Sequence, residues 1–189
     1  MAMDHRGANW RERAIRDAVL AGDTSLWREW FGENFERLAV YVRWRCGGLA
    51  DLADDVTQDV WLTAVRRLRS FDPDRGNFFG WLCGIASNSA RNALRSRLRH
   101  RKRTRPLGPG DEPPIAGADP STVEKAERVA TALAELPDHY EAVLRAKYLD
   151  RHSVEEIAAA RGDTVKAVES LLARARQAFR EAYERGCHE

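Results

Sequence analysis

Around residue 100 the chain changes character in a way that limits what it can fold into. His100 to Arg105 is a basic run, and Pro106, Gly108, Pro109, Gly110, Pro113, Pro114, Gly117 and Pro120 follow closely. A stretch so rich in proline and glycine can neither bury a core nor hold regular structure, so residues 100–120 read as a flexible linker. They separate a domain over residues 1–99 from a smaller one over 121–185. On both sides Ala, Leu, Arg and Glu dominate and strand-type alternation is absent. The expected fold class is all-α: two small helical domains joined by a flexible Pro/Gly linker.

The apolar periodicity places helices over residues 9–21, 24–45, 49–70 and 78–99 in the first domain. Gly22-Asp23 breaks the first helix, and Asp23 can cap the second. The second helix carries Leu26, Trp30, Phe31, Phe35, Leu38 and Val42 at three-to-four spacing, and Cys46-Gly47-Gly48 ends it. Leu52, Val56, Val60, Ala64 and Leu68 line one face of the third, and Phe78, Leu82, Ile85, Ala86, Ala90, Ala93 and Leu94 one face of the fourth. Residues 71–77 between them are turn-rich. The second domain reads as helices over 121–135, 137–148, 153–161 and 164–183, with a capping box from Ser153 to Glu156.

Net charge is only +2, but the charge is unevenly spread. Residues 71–105 hold 9 basic and 2 acidic residues, whereas residues 106–163 hold 6 basic and 12 acidic. Positive charge focused on one stretch suits a polyanion, most often nucleic acid, and equally a solvated helix face. Cys46, Cys83 and Cys187 are far apart, with no CxxC or Cys/His cluster, so no metal site is expected. Cys46 and Cys83 sit in apolar helical patterns and read as packed. Met1 to Trp10 is polar, and no apolar run approaches the roughly 18 residues of a membrane span. A cytoplasmic protein without membrane insertion is the expectation. Phosphate-cradling glycine loops, GxSxG and HExxH are all missing, so neither catalysis nor a cofactor is expected. His139 and His152 read as exposed helix-end residues.

Three patterns suggest binding. A short helix ended by Gly162 is followed by a longer one, and Ile157, Ala158, Val165, Val168 and Leu172 fall where two steeply crossed helices would share a core. That is helix-turn-helix spacing, with Lys166, Glu169, Ser170, Ala173, Arg174 and Gln177 facing outward. A plain helical hairpin has the same spacing. The fourth helix carries Asn88, Arg91, Arg95 and Arg99 on one face, with Asn92 beside them; residues 91–105 hold 8 basic residues and no acid. Like charges at i,i+4 cost a helix about 0.2–0.5 kcal/mol per pair, a cost that phosphates would remove. Complementing the helix dipole also explains the later arginines, but less well a row that starts at Arg91. The third helix carries Asp51, Asp55 and Asp59 four residues apart, with Asp54 and Gln58 beside them. This row either docks a basic protein surface or complements the helix N-terminus.

Four segments resemble the sigma-70 family, specifically its small extracytoplasmic-function branch. Ala53-Asp-Asp-Val-Thr-Gln-Asp-Val-Trp61 and Phe78-Phe-Gly-Trp-Leu-Cys-Gly-Ile-Ala-Ser-Asn88 are similar to motifs of region 2. Leu133-Ala-Glu-Leu-Pro137, and Ser153-Val-Glu-Glu-Ile-Ala-Ala-Ala-Arg-Gly162 with Val168 through Arg176, are similar to region 4. Their order, split by the linker, strengthens the resemblance. It implies a subunit that binds core RNA polymerase, recognises −10 and −35 promoter elements and helps open the −10 duplex. Asp51, Asp54, Asp55, Gln58 and Asp59 would dock the clamp helices of the polymerase largest subunit. Asn77 and Asn88, with the 71–77 loop, would capture a flipped −10 base, and Arg91, Asn92, Arg95 and Arg99 would hold the strand. Lys166, Glu169, Ser170, Arg174 and Arg176 would meet the −35 element. An anti-sigma factor is an implied partner. Glu169, Leu171, Asn92 and Asp163 depart from residues common in the family. An autonomous helix-turn-helix regulator, an enzyme with a DNA-binding tail and an all-helical interaction protein are the rival readings.

Overall fold

The computed structural model describes residues 5–103 and 120–185. Among these, no strand forms. The helices are α1 (His5–Leu20), α2 (Thr24–Arg45), α3 (Ala50–Arg67), α4 (Phe78–Arg103), α5 (Pro120–Glu135), α6 (Asp138–Tyr148), α7 (Val154–Arg161) and α8 (Val165–Arg185), with a 3-10 turn at Leu68–Ser70. The helical reading therefore holds. α4 runs four residues beyond its expected end, because Arg and Lys are good helix formers and the first strong breaker, Pro106, comes later. Pro120 opens α5, where a missing N–H costs nothing. Most of the expected linker, residues 104–119, lies outside the described residues, as does Cys187. The chain forms two compact units: Met1–Arg43 with Ala50–Ala93, and Trp44–Leu49 with Leu94–Glu189.

In the first unit, Asp23 caps α2 by accepting from the backbone N–H of Ser25 at 2.9 Å and of Leu26 at 3.2 Å. Hydrogen bonding, led by the Ser25 hydroxyl, holds the Asp23 carboxyl below its usual range. Leu38, Val42, Leu52, Val56, Val60, Ala64, Leu68, Phe78, Leu82, Ala86 and Ala90 are buried as the periodicity requires. An aromatic cluster occupies the centre. Trp30 stacks on Phe78 at 3.8 Å, and Phe71 meets both rings edge-on at 5.8 and 5.5 Å. Phe35 departs from its expected place and is exposed. Asn34 takes the buried position instead, its side-chain amide donating to the Trp30 carbonyl at 2.8 Å. Phe35 lies about 100° further round the helix.

The second unit is held by Leu133, Leu136, Val143, Leu144, Ile157, Ala158, Val168, Leu171, Leu172 and Ala175. Two buried carboxylates carry ion pairs: Glu141 with Arg45 at 3.2 Å and Glu127 with Arg97 at 2.9 Å. The Ser153 backbone N–H donates to the Glu156 carboxylate at 2.7 Å, and the Glu156 N–H donates to Ser153 Oγ at 3.1 Å, completing the capping box. Gly162 ends α7 in the left-handed region at φ 69°, where a side chain is strained. Thr164 Oγ1 then accepts from the Ala167 N–H at 3.2 Å and starts α8. Val165, expected in the core, is exposed: it is the first residue of α8, and the buried meridian begins one turn later at Val168.

Candidate nucleic-acid and polymerase-docking surfaces

Asp51, Asp54, Asp55, Gln58 and Asp59 are all exposed on α3, opposite the buried Leu52–Val56–Val60 stripe. Asp51 stands in the first turn, where a carboxylate complements the dipole. Asp59 is too far along for that. It accepts from the Ser89 hydroxyl of α4 at 2.7 Å, which orients it while leaving it exposed. Leu62 and Val65 extend this helix toward solvent as large exposed apolar groups. Their positions in the sequence put them off the buried stripe.

The 71–77 loop is folded down by its apolar members and open at its polar ones. Phe71 and Pro73 are buried, and Asp72, Asp74, Arg75, Gly76 and Asn77 are exposed. The Asn77 side-chain oxygen accepts from the Gly80 N–H at 2.7 Å, so it caps α4. The cap occupies one acceptor position of the Asn77 amide and leaves its NH2 group and a second acceptor position unused by that bond. α1 grips this loop. The Phe78 N–H donates to both Glu12 carboxylate oxygens at 3.0 Å, Arg16 Nη1 donates to the Phe71 carbonyl at 3.0 Å, and Arg13 pairs with Asp74. Burial pushes the Glu12 carboxyl up from its usual range, against the opposing effect of the Phe78 N–H. The Arg13 guanidinium holds the Asp74 carboxyl below its own. The spacing of residues cannot reveal these contacts between distant segments.

Along α4, Asn88, Asn92, Arg95 and Arg99 are exposed and Arg91 is half-buried. Arg91, Arg95 and Arg99 succeed one another at four-residue steps and share a face. Arg97 lies off that row and pairs with Glu127.

On α8, Lys166, Glu169, Ser170, Ala173, Arg174 and Gln177 are exposed behind the packed Val168–Leu172 face. Arg174 Nε bonds the Ser170 carbonyl of its own helix at 3.4 Å. Arg176 is exposed but points elsewhere: its Nε donates to the Tyr148 hydroxyl at 2.7 Å. Leu171 belongs to the core, which accounts for an apolar residue there. Asp163 is exposed and pairs with Arg161 at 2.9 Å. His139 and His152 are exposed, and Cys46 and Cys83 are buried, as their settings suggest. Burial pushes the Cys46 thiol up to about 11. Among the described residues no group of His, Cys, Asp and Glu is arranged to hold a metal, and no helix is long and apolar enough to cross a membrane.

Residues 32–100 match the family model for Sigma-70 region 2, and residues 126–179 match that for Sigma-70, region 4. The chain belongs to the sigma-70 family. Among its relatives is the ECF RNA polymerase sigma factor RpoE of Cereibacter sphaeroides, 28% identical over 145 residues, covering 75% of this chain and 80% of that one. The RNA polymerase sigma factor CarQ of Myxococcus xanthus is 37% identical over 112 residues, covering 59% of this chain and 63% of that one. These relatives agree with the extracytoplasmic-function branch of the family. Similar solved structures include CnrH in complex with the cytosolic domain of CnrY (26% identity, TM-score 0.47, 92% and 97% of the two chains). Another is the sigma factor RpoE with the anti-sigma factor NepR from Bartonella quintana (20% identity, TM-score 0.46, 84% and 96%). As a sigma factor, the protein acts in transcription initiation with RNA polymerase and DNA, and it is not an enzyme.

Proposed function

We propose that this sigma factor docks core RNA polymerase through the acidic row of α3, reads a −10 element with the 71–77 loop and α4, and reads a −35 element with α8. Asp51, Asp54, Asp55, Gln58 and Asp59 meet the clamp helices of the polymerase largest subunit. Asn77 and Asn88 offer amides to an unstacked base, and Arg91, Asn92, Arg95 and Arg99 take the strand phosphates. Lys166, Ser170 and Arg174 face the −35 duplex. Glu169 suits a cytosine amino group and opposes phosphate. Arg176 contacts phosphate only by leaving Tyr148. Binding of this kind helps open the −10 duplex, because the captured base is withdrawn from its pair.

The observation that carries this reading is the cationic row of α4 following a loop with exposed polar tips. An autonomous helix-turn-helix regulator has no use for a surface that takes a single strand. The site of action is the cytoplasm, where polymerase and promoter are, and the family resemblance adds an anti-sigma factor covering one or both domains.

The test is co-purification with bacterial core RNA polymerase, comparing wild type with the double variant Asp55→Arg/Asp59→Arg. Wild type is expected to associate stably and the double variant to lose association by ten-fold or more, as like charges face a basic partner. Wild-type protein that ignores core polymerase yet binds duplex DNA alone would sink the proposal in favour of an autonomous regulator.

A further inference from the structure

The loop assigned above to the −10 strand is held by a helix that lies outside the region 2 match, which begins at residue 32. Arg16 takes the Phe71 carbonyl where the loop starts, Arg13 meets Asp74 at its middle, and Glu12 takes the Phe78 N–H where it ends. Residues 12 and 16 are one helical turn apart, so both ends of the loop are tied to one rigid segment. Arg13 and Asp74 are both well exposed, and their pair adds little. The other two contacts are half-buried and involve a charged partner for a backbone group, the stronger kind of hydrogen bond. Inside the loop, the Asp74 N–H bonds Asp72 Oδ1 at 3.1 Å and the Arg75 N–H bonds the Asp72 carbonyl at 3.1 Å. These bonds shape the tip but leave the span between residues 71 and 78 open. Asn77 is fixed to α4 by its cap on the Gly80 N–H, so that span decides where the exposed residues 72–76 stand relative to the α4 face that carries Asn88.

We propose that Glu12 and Arg16 are positioning residues for base capture: α1 sets the span of the 71–77 loop, and so the alignment of its exposed residues 72–76 with Asn77 and α4, without touching DNA. The inference rests on the reading of that loop as the −10 site. It predicts that loss of either contact blurs base choice at −10 and leaves −35 choice intact.

The experiment uses the full chain bound to bacterial core polymerase, transcribing a template library randomised across both promoter elements, with the RNA products sequenced. For wild type, a preferred base is expected at one or more −10 positions. Glu12→Ala should lower that discrimination about ten-fold, the equivalent of one charge-assisted hydrogen bond, while −35 preferences stay put. Glu12→Gln, which keeps an acceptor for the Phe78 N–H, should restore most of it. Arg16→Ala leaves the Glu12 contact in place and should blur the same positions, so the idea stays testable if Glu12→Ala fails to fold. Even loss of output with unchanged −10 choice in Glu12→Ala and Arg16→Ala would overturn the role of α1 and leave only a stabilising one. A wild-type holoenzyme without −10 preference would instead overturn the −10 reading itself, and this inference with it.

Discussion

The 71–77 loop and the 162–164 turn are both short connectors leading into a long helix, yet they are built in opposite ways. The turn is made from its neighbours. Gly162 adopts the left-handed conformation, Thr164 caps α8 three residues on, and the Ser153–Glu156 box starts α7 just upstream. The loop is held by residues 55 to 66 positions away, on α1, and by a ring cluster drawn from α2 and α4. A connector of the first kind keeps its shape wherever its two helices go. One of the second kind inherits its shape from the packing around it, so a distant substitution can move it.

Core truncation gives the sharpest test of that contrast. Trp30→Ala removes the ring stacked on Phe78 and is expected to cost about 3–5 kcal/mol, and Leu172→Ala about 2–5 kcal/mol. Both are measurable by denaturant unfolding. Hydrogen exchange should separate them: Trp30→Ala is expected to expose the Phe78 amide to exchange, and Leu172→Ala to leave its protection unchanged. Equal exchange at Phe78 in the two variants would mean that the loop does not depend on its ring cluster.

Ser153→Ala is a smaller perturbation. It removes the cap and should cost about 1 kcal/mol. The loss should stay within α7 and the turn after it, seen as faster exchange of the Glu156 amide. Spread of the effect to the 71–77 loop would break the distinction between local and inherited shape.

The smallest expected effect is on Glu12. Burial raises its pKa in the folded state, so the native protein holds that proton more tightly than the unfolded chain does. The associated stability is present below the ordinary value of 4.5 and is lost as pH climbs through the raised one. Glu12→Gln keeps an acceptor and removes the charge. Relative to wild type it should gain stability as pH rises past 4.5, with a difference within about 0.5 kcal/mol. Urea midpoints at pH 4 and pH 7 check the sign. A variant that loses ground at pH 7 would show that the ionised carboxylate contributes more through the Phe78 N–H than burial takes away.

Much of the proposed binding surface was legible because it depends on helical periodicity. Asp51, Asp55 and Asp59, then Arg95 and Arg99, then Lys166, Ser170 and Arg174 are exposed where three-to-four spacing puts them. Periodicity failed where one side chain found a specific partner. Asn34 displaced Phe35 from the buried side of α2 by bonding the Trp30 carbonyl; the Arg97–Glu127 and Arg176–Tyr148 contacts are ones that periodicity does not address. Asn77 reads in sequence as a free amide, but the start of α4 takes its oxygen.

By itself the amino-acid sequence determined the helices, most of their caps and the identity of the outward faces. These follow from residue propensity and from repeats only a few positions long. The tertiary structure alone decided the span of the 71–77 loop and the grip of Glu12 and Arg16 upon it. Those bonds join groups far apart along the chain, and no local pattern encodes which distant carboxylate will meet a given backbone N–H.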